Sequence, residues 1–197
     1  MTDFRALNRK TIPEEFPMPS IQEIVDKIGK GNKYFTKIDL SNGFLQIPVD
    51  PRDRHEMTFT TSKGKYQFKR MSFGMTNAPF YFQRAMTKAL KPLLGKGVLV
   101  YLDDIIIHTK NLEENMNLLK QVLDLLKQHN FKVEIDKCDF LKKKVHDLGH
   151  ILSESGVKPD PNKIKAVRNF ARPLNQKHVR MFLGFCGFYR RYIHRFA

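Results

Sequence analysis

The chain has 197 residues, 41% of them hydrophobic, with 35 Lys+Arg against 20 Asp+Glu for a formal charge of +15. That length supports one domain, or one large and one small, with a substantial core, and 16 Phe with 28% charged residues exclude a disordered or collagen-like chain. No stretch approaches the roughly 20 apolar residues of a membrane span, the N-terminus lacks the apolar core of a signal peptide, and Cys138 and Cys186 form no CxxC, which argues against a disulfide scaffold or a Cys-based zinc site and predicts an intracellular, reduced, soluble protein.

The first helix begins after Ser20, with Glu23 three residues on as a capping box and Ile21, Ile24, Val25 and Ile28 as its apolar stripe; Gly29 and Gly31 end it. A strand follows over Tyr34–Leu40, with Tyr34, Thr36, Ile38 and Leu40 on one face and Phe35, Lys37 and Asp39 on the other. The pattern predicts a short strand at Phe44–Val49, then Asp50-Pro51 as N-cap and first helical residue. Strands at Met57–Thr61 and Tyr66–Arg70 flank a hairpin-like turn.

A helix from Ala78 turns Phe82, Met86, Ala89, Leu90 and Leu93 inward. Two apolar runs on either side of Asp103-Asp104 read as a hairpin with two carboxylates at its tip. A long helix over Asn111–His129 is expected to bury Leu112, Met116, Leu119, Val122, Leu123 and Leu126. Short strands are expected at Lys132–Glu134 and Leu148–Leu152, and Asp160 and Asn175 as caps of two final helices. Hairpins without a regular βαβα alternation predict an α+β fold with a largely antiparallel sheet.

The charge is unevenly placed. Pro161 to Ala197 holds nine Lys/Arg and no Asp or Glu, interleaved with aromatic residues. That pattern fits a polyanionic partner such as nucleic acid, and equally an amphipathic helix with a solvated basic face. Asp39, Asp103 and Asp104 stand out among the acids, because each ends or interrupts an apolar strand. The spacing leaves two readings open. They are polar turn and cap residues, or a carboxylate cluster whose mutual repulsion divalent cations relieve. No GxxxxGK[ST], HExxH or GxSxG is present. His146 and His150 lie four apart in what reads as strand, a poor metal pair, and the two cysteines read as ordinary thiols.

Six blocks in order resemble reverse transcriptases. Lys37-IDLSNGFLQIPV-Asp50 is similar to the first catalytic block, and Phe68-KRMSFGMTNAPFYFQ-Arg84 to the template and nucleotide block. Val100-YLDD-Ile105 carries the Y-x-D-D signature, and Ile135-DKC-Asp139 and Leu148-GH-Ile151 resemble the fourth and fifth palm blocks. The tail, Lys158-PDPNKI and Val179-RMFLGFCGFYRRYI-His194, resembles gypsy-like long-terminal-repeat retrotransposons.

The resemblance implies a palm-type antiparallel sheet packed on helices, with partial fingers at 1–35 and 50–80, palm at 36–49 and 81–157, and the palm–thumb junction and first thumb helix at 158–197. It implies RNA-directed DNA polymerase activity with two Mg²⁺ ions, or Mn²⁺ in their place, held by Asp39, Asp103 and Asp104. Those carboxylates should then converge within metal-bridging distance on one side of the sheet. Phe44 matches the steric gate against a ribose 2′-hydroxyl, and Phe73 and Gly74 match positions at the incoming nucleotide. Tyr101 matches a position near the primer end, and Lys137 a proton donor to pyrophosphate or, alternatively, a solvated lysine. Arg180, Arg190 and Arg191 fall in the basic tail where a template–primer duplex of RNA or DNA would run. The implied setting is a larger polyprotein with ribonuclease H and integrase, acting in cytoplasmic virus-like particles and not in a membrane.

The chain also departs from the family. Ser72 stands where Pro is usual, Phe80-Tyr81 where small residues are usual, and Asp147 where Phe precedes the Leu-Gly of the fifth block. The finger strands that usually precede Asp3-FRALN are not part of this sequence, so weak or no activity is expected of this piece alone. A catalytically inactive remnant, or a domesticated nucleic-acid-binding module, is the competing expectation.

Overall fold

The computed structural model describes residues 2–196, apart from the side chain of Gln22. In chain order its elements are α1 (Arg5–Lys10), α2 (Ile21–Ile28), β1 (Tyr34–Asp39), β2 (Thr58–Thr61), β3 (Gly64–Gln67), α3 (Ala78–Ala89), β4 (Val98–Tyr101) and β5 (Asp104–Thr109). There follow α4 (Leu112–Gln128), β6 (Asp139–Lys142), β7 (Lys144–Asp147), β8 (His150–Ser153), β9 (Gly156–Pro159), α5 (Pro161–Arg168) and α6 (Gln176–Phe188). The central sheet has the order β4-β5-β1-β6 and is antiparallel throughout; β2-β3 and β7-β8-β9 form separate antiparallel units. The fold is α+β.

Alternation along β1 divides the core in two. Ile38 and Leu40 join Val98, Val100, Ile105 and Ile107 beneath Phe82 and Met86 of α3 and Leu118, Val122 and Leu126 of α4. On the opposite face Phe35, Leu99 and Ile106 pack with Ile24 and Ile28 of α2 and with Val145 and Leu152 of the β7–β9 unit. Each fully buried aliphatic or aromatic side chain contributes about 1.5–3 kcal/mol, so both faces of this short sheet are anchored. Helix α2 begins as its sequence dictates: the Ser20 hydroxyl accepts the Glu23 N–H and Glu23 reaches back to the Ser20 N–H, while Gly29 ends the helix at φ +58°. Asn111, Asp160 and Asn175 likewise cap α4, α5 and α6 through side-chain oxygens.

Several elements differ from their sequence patterns. Phe44–Val49 is not a strand: Asn42 turns left-handed at φ +50° and Gly43–Gln46 forms one 3-10 turn, leaving a single bridge between Pro48 and Arg70. Asp50-Pro51 starts no α-helix, because the Asp50 carboxylate accepts the Arg52 N–H within a turn and only a 3-10 segment, Arg54–Met57, follows. Lys132–Glu134 makes one bridge, Leu40 to Val133, and the edge strand is β6 instead. The predicted strand at Leu148–Leu152 starts only at His150, since Leu148-Gly149 is the turn from β7.

Helix α4 is rotated relative to the expected stripe. Asn115, Leu118, Val122 and Leu126 are buried, whereas Leu112, Met116 and Leu123 are exposed. Its amide is the reason. The Thr36 hydroxyl donates to Asn115 Oδ1 at 2.7 Å, and Asn115 Nδ2 donates to Thr109 Oγ1 and to the Tyr34 carbonyl, both at 3.1 Å. A polar group so fully partnered is retained inside despite its desolvation.

Candidate active site

The hairpin turn between β4 and β5 is the centre of the site. Tyr101 pairs with Asp104, so Leu102 and Asp103 form the tip, and Asp104 already belongs to the strand. Leu102 takes a left-handed φ of +53°, a conformation costing a branched residue of order 1–3 kcal/mol unless it is held from outside. Gln83, buried on α3, holds it. The Leu102 N–H donates to Gln83 Oε1 at 2.7 Å, and Gln83 Nε2 donates to the Val100 carbonyl at 3.3 Å. Gln83 lies inside the quoted Phe68–Arg84 block, yet its role is invisible there, because it depends on a strand 17 residues downstream.

Asp39 pairs directly with Asp104 across β1 and β5, so both carboxylates leave the sheet on the same side, beside Asp103. Asp103 packs against Gly43, where an added Cβ would stand 3.3 Å from the Asp103 Cβ. Asp39 also receives support from below: its N–H donates to Cys138 Sγ at 3.4 Å. The cysteine thus sits under the strand end, with burial pushing its thiol pKa up.

Charge in this cluster is shared with two lysines. Lys137 Nζ stands 4.0 Å from Asp39 Oδ1, and Lys37 Nζ lies 3.0 Å from Asp104 Oδ1 and 2.8 Å from Asp147 Oδ1. Burial raises the Asp39 pKa, with Asp103 and Asp104 adding to the rise and Lys137 and Lys37 opposing it. Burial alone would lower Lys37, but Asp147 and then Asp104 outweigh it and hold the ammonium protonated. Asp147, almost wholly buried, is pushed up to about 6 by desolvation in spite of Lys37. Among the described residues no three carboxylates are yet close enough to hold an ion. The three acids share a side and a neighbourhood of the sheet, but the expected convergence to metal-bridging distance is not reached among the described residues, where Lys37 and Lys137 stand at the Asp104 and Asp39 oxygens instead. The donor set itself suits a hard, oxygen-seeking divalent cation, and the two ammonium groups offset part of the acids' negative charge.

The remaining predicted residues fall into two groups. Phe44, on the 3-10 turn after β1, is half-buried, with its ring 5.0 Å from Phe73 and edge-on to Phe82 at 5.4 Å. Phe73 is exposed, and Gly74 takes φ +91° with its carbonyl accepting from Asn8 Nδ2 at 2.8 Å. Tyr101 ends β4 against the α2-side core. These lie on the elements flanking the acids. The arginines are apart from them: Arg180 is exposed on α6, and Arg190 and Arg191 follow it in a 3-10 turn. Arg191 pairs with Asp26 of α2 at 3.1 Å and covers the Tyr192 ring. His146 and His150 lie on β7 and β8, and His146 Nδ1 meets Asp160 at 3.1 Å.

The unusual residues are accommodated. Ser72 is buried. Tyr81 and Phe16 both stack on the Arg84 guanidinium, at 5.2 and 5.6 Å, and Arg84 pairs with Glu14. Asp147 faces Lys37 instead of apolar neighbours alone.

A family model described as "Reverse transcriptase (RNA-dependent DNA polymerase)" matches residues 1–185. Over 195 residues the chain is 46% identical to the Retrovirus-related Pol polyprotein from transposon 297 of Drosophila melanogaster, and 42% identical to that from transposon gypsy of the same organism. Each alignment covers 99% of this chain but 18% and 19% of those polyproteins, so the chain spans about a fifth of their length. Among solved structures, the foamy viral protease-reverse transcriptase dRH in complex with ds DNA superposes with a TM-score of 0.85 at 27% identity, over 95% of this chain and 33% of that one. The same viral enzyme in complex with an RNA/DNA hybrid superposes at 0.80 with 25% identity, over 95% of this chain and 25% of that one.

Proposed function

Because the chain belongs to the reverse transcriptase family, we propose that it is the catalytic core of an RNA-directed DNA polymerase from a gypsy-like Pol polyprotein. One observation carries the reading: Asp39 pairs with Asp104 across β1 and β5, with Asp103 at the adjoining turn. In this reading residues 36–49 and 81–157 are palm, 1–35 and 50–80 contribute fingers, and 158–197 lead into the thumb.

Asp39, Asp103 and Asp104 are the residues that would hold the metal. The chemistry supplied there by two bound Mg²⁺, or by Mn²⁺, is acidification of the primer 3′-hydroxyl and neutralisation of the triphosphate. The protein does the rest. Its turn and strand ends orient the carboxylates, and Gln83 keeps the turn in its left-handed form. Phe44, braced by Phe73 and Phe82, has the ring that would exclude a 2′-hydroxyl from the incoming deoxynucleoside triphosphate, and Phe73 and Gly74 would contact that nucleotide. Tyr101 would lie near the primer end. As the primer oxygen bonds to the α-phosphorus, its hydroxyl proton would pass to solvent and the bond to pyrophosphate would break, with Lys137 as the residue that would give the departing oxygen a proton.

A template–primer duplex would follow the basic C-terminal segment through Arg180, Arg190 and Arg191, so its affinity should fall steeply with salt. An affinity indifferent to salt contradicts that assignment. The chemistry is tested by primer extension with Mg²⁺, comparing the chain with Asp103→Asn in a form that includes the polyprotein's finger segment. Near-complete loss of incorporation is expected; equal incorporation removes Asp103 from the reaction.

A further inference from the structure

Phe35, Lys37 and Asp39 share the face of β1 turned toward α2 and β7–β9. Lys37 lies between an acid of the candidate site and an acid outside it. Its Nζ is 3.0 Å from Asp104 Oδ1 and 2.8 Å from Asp147 Oδ1, and the side chains of Lys37 and Asp147 are 18% and 2% exposed. Asp147 ends β7 opposite His150, with Val145 and Leu152 packed nearby in the α2-side core. Among the described residues, Lys37 is the cation recorded within ion-pairing distance of it.

The physical consequence concerns where a buried ammonium can go. A divalent cation arriving at Asp104 competes with Lys37 for the same oxygen. If Lys37 had Asp104 as its single counter-charge, cation binding would leave a desolvated ammonium unpaired, which is strongly unfavourable. Asp147 offers the ammonium a second, more deeply buried anion that is not one of the three site acids. Lys37 can then release Asp104 without losing its compensation.

We propose that Asp147 is a positioning residue of the polymerase centre, anchoring the Lys37 ammonium so that Asp104 is free to receive a divalent cation. This rests on the reading of Asp104 as a metal-holding residue given above, and the two fail in distinguishable ways.

The test is direct Mn²⁺ binding to the 197-residue chain, with free ion read from its electron paramagnetic resonance signal and melting temperature followed in parallel. If Asp103→Asn leaves Mn²⁺ binding unchanged, the metal reading of the site fails and the inference falls with it. If Asp103→Asn weakens binding, the inference predicts that Asp147→Asn also weakens it, by roughly tenfold, as loss of a group behind a metal ligand does. The double variant Lys37→Met with Asp147→Phe removes the competing ammonium together with its anchor and should bind Mn²⁺ at least as tightly as the unmodified chain. It also serves if Asp147→Asn fails to fold, because it replaces the ion pair with apolar groups. Unchanged affinity in folded Asp147→Asn, or weakened affinity in the double variant, overturns the proposal. A purely structural role for Asp147 would move the melting temperature and leave the Mn²⁺ affinity where it was.

Discussion

The central sheet and the C-terminal helix α6 are built from similar apolar residues and use them in opposite ways. In the sheet Phe35, Ile38, Ile105 and Ile107 are wholly buried, each pressed from one face by helices or by a second sheet. In α6 Val179, Met181, Leu183, Phe185 and Phe188 stand about half exposed, and Cys186 is the buried residue among its described side chains. Their ring contacts are few, Phe185 to Phe170 at 5.9 Å and Phe188 to His150 of β8 at 5.6 Å among them. Charge follows the same division. Around the sheet every cation near the acids is paired, Lys37 with Asp104 and Asp147 and Lys137 with Asp39, whereas the tail is basic without acids of its own. The lesson is that a periodic pattern specifies a helix, while burial needs a partner surface of matching shape.

That contrast can be broken by substitution. Phe82→Ala, beneath the sheet and fully buried, is expected to cost about 3–5 kcal/mol in denaturant unfolding. A cost below about 1 kcal/mol would mean that the sheet's packing is no tighter than that of α6.

The second test concerns pH. The folded-state pKa of Asp147, about 6, lies above the ordinary value of 3.8. Its favourable contribution is therefore fully present below 3.8 and is lost as pH rises through about 6. Between about pH 4 and about pH 7, the stability of the chain relative to Asp147→Asn should shrink by about 2–3 kcal/mol, measured as the difference of two unfolding curves. A gap that does not change with pH would mean that burial does not govern this carboxylate.

Gln83→Leu comes next. It leaves the Leu102 N–H and the Val100 carbonyl without their side-chain partner, an expected loss of about 1–3 kcal/mol. Its primer-extension rate should fall by more than that of an equally destabilised core variant, because the turn carrying Asp103 loosens. Equal rates at equal stability would reduce Gln83 to ordinary packing. The smallest effect belongs to α6: Phe185→Ala should change stability by no more than about 0.5 kcal/mol. A loss comparable to that of Phe82→Ala would show that the helix is packed as tightly as the sheet.

Particular residues show which features were legible. Ser20 and Glu23, Asp160 and Asn175 announced their helices because a cap acts within one turn of its own sequence. Phe44–Val49 misled because Phe44, Ile47 and Val49 favour strand, yet the left-handed Asn42 and the side-chain bonds of Gln46 to Ser41 and Lys132 close a turn over Gly43–Gln46 instead. Strand β6 carried little signal, since an edge strand takes half its definition from its neighbour. The rotation of α4 was hidden for the same reason: Asn115 is polar by type and becomes a core residue through Thr36 and Thr109, on strands of the sheet.

The sequence by itself determined the chemistry on offer: three acids at strand ends, a Y-x-D-D turn, an ordered series of blocks and a basic tail. Those are local or one-dimensional properties, and a single chain displays them directly. Tertiary structure decided how the charges are shared. Lys37 is brought to both Asp104 and Asp147 because β1 is flanked on one side by β5 and covered by the β7–β9 unit. Gln83 meets Leu102 because α3 lies against β4. Ion pairing and hydrogen bonding act over a few ångströms in space, and no spacing along the chain records which distant residues folding will bring within that reach.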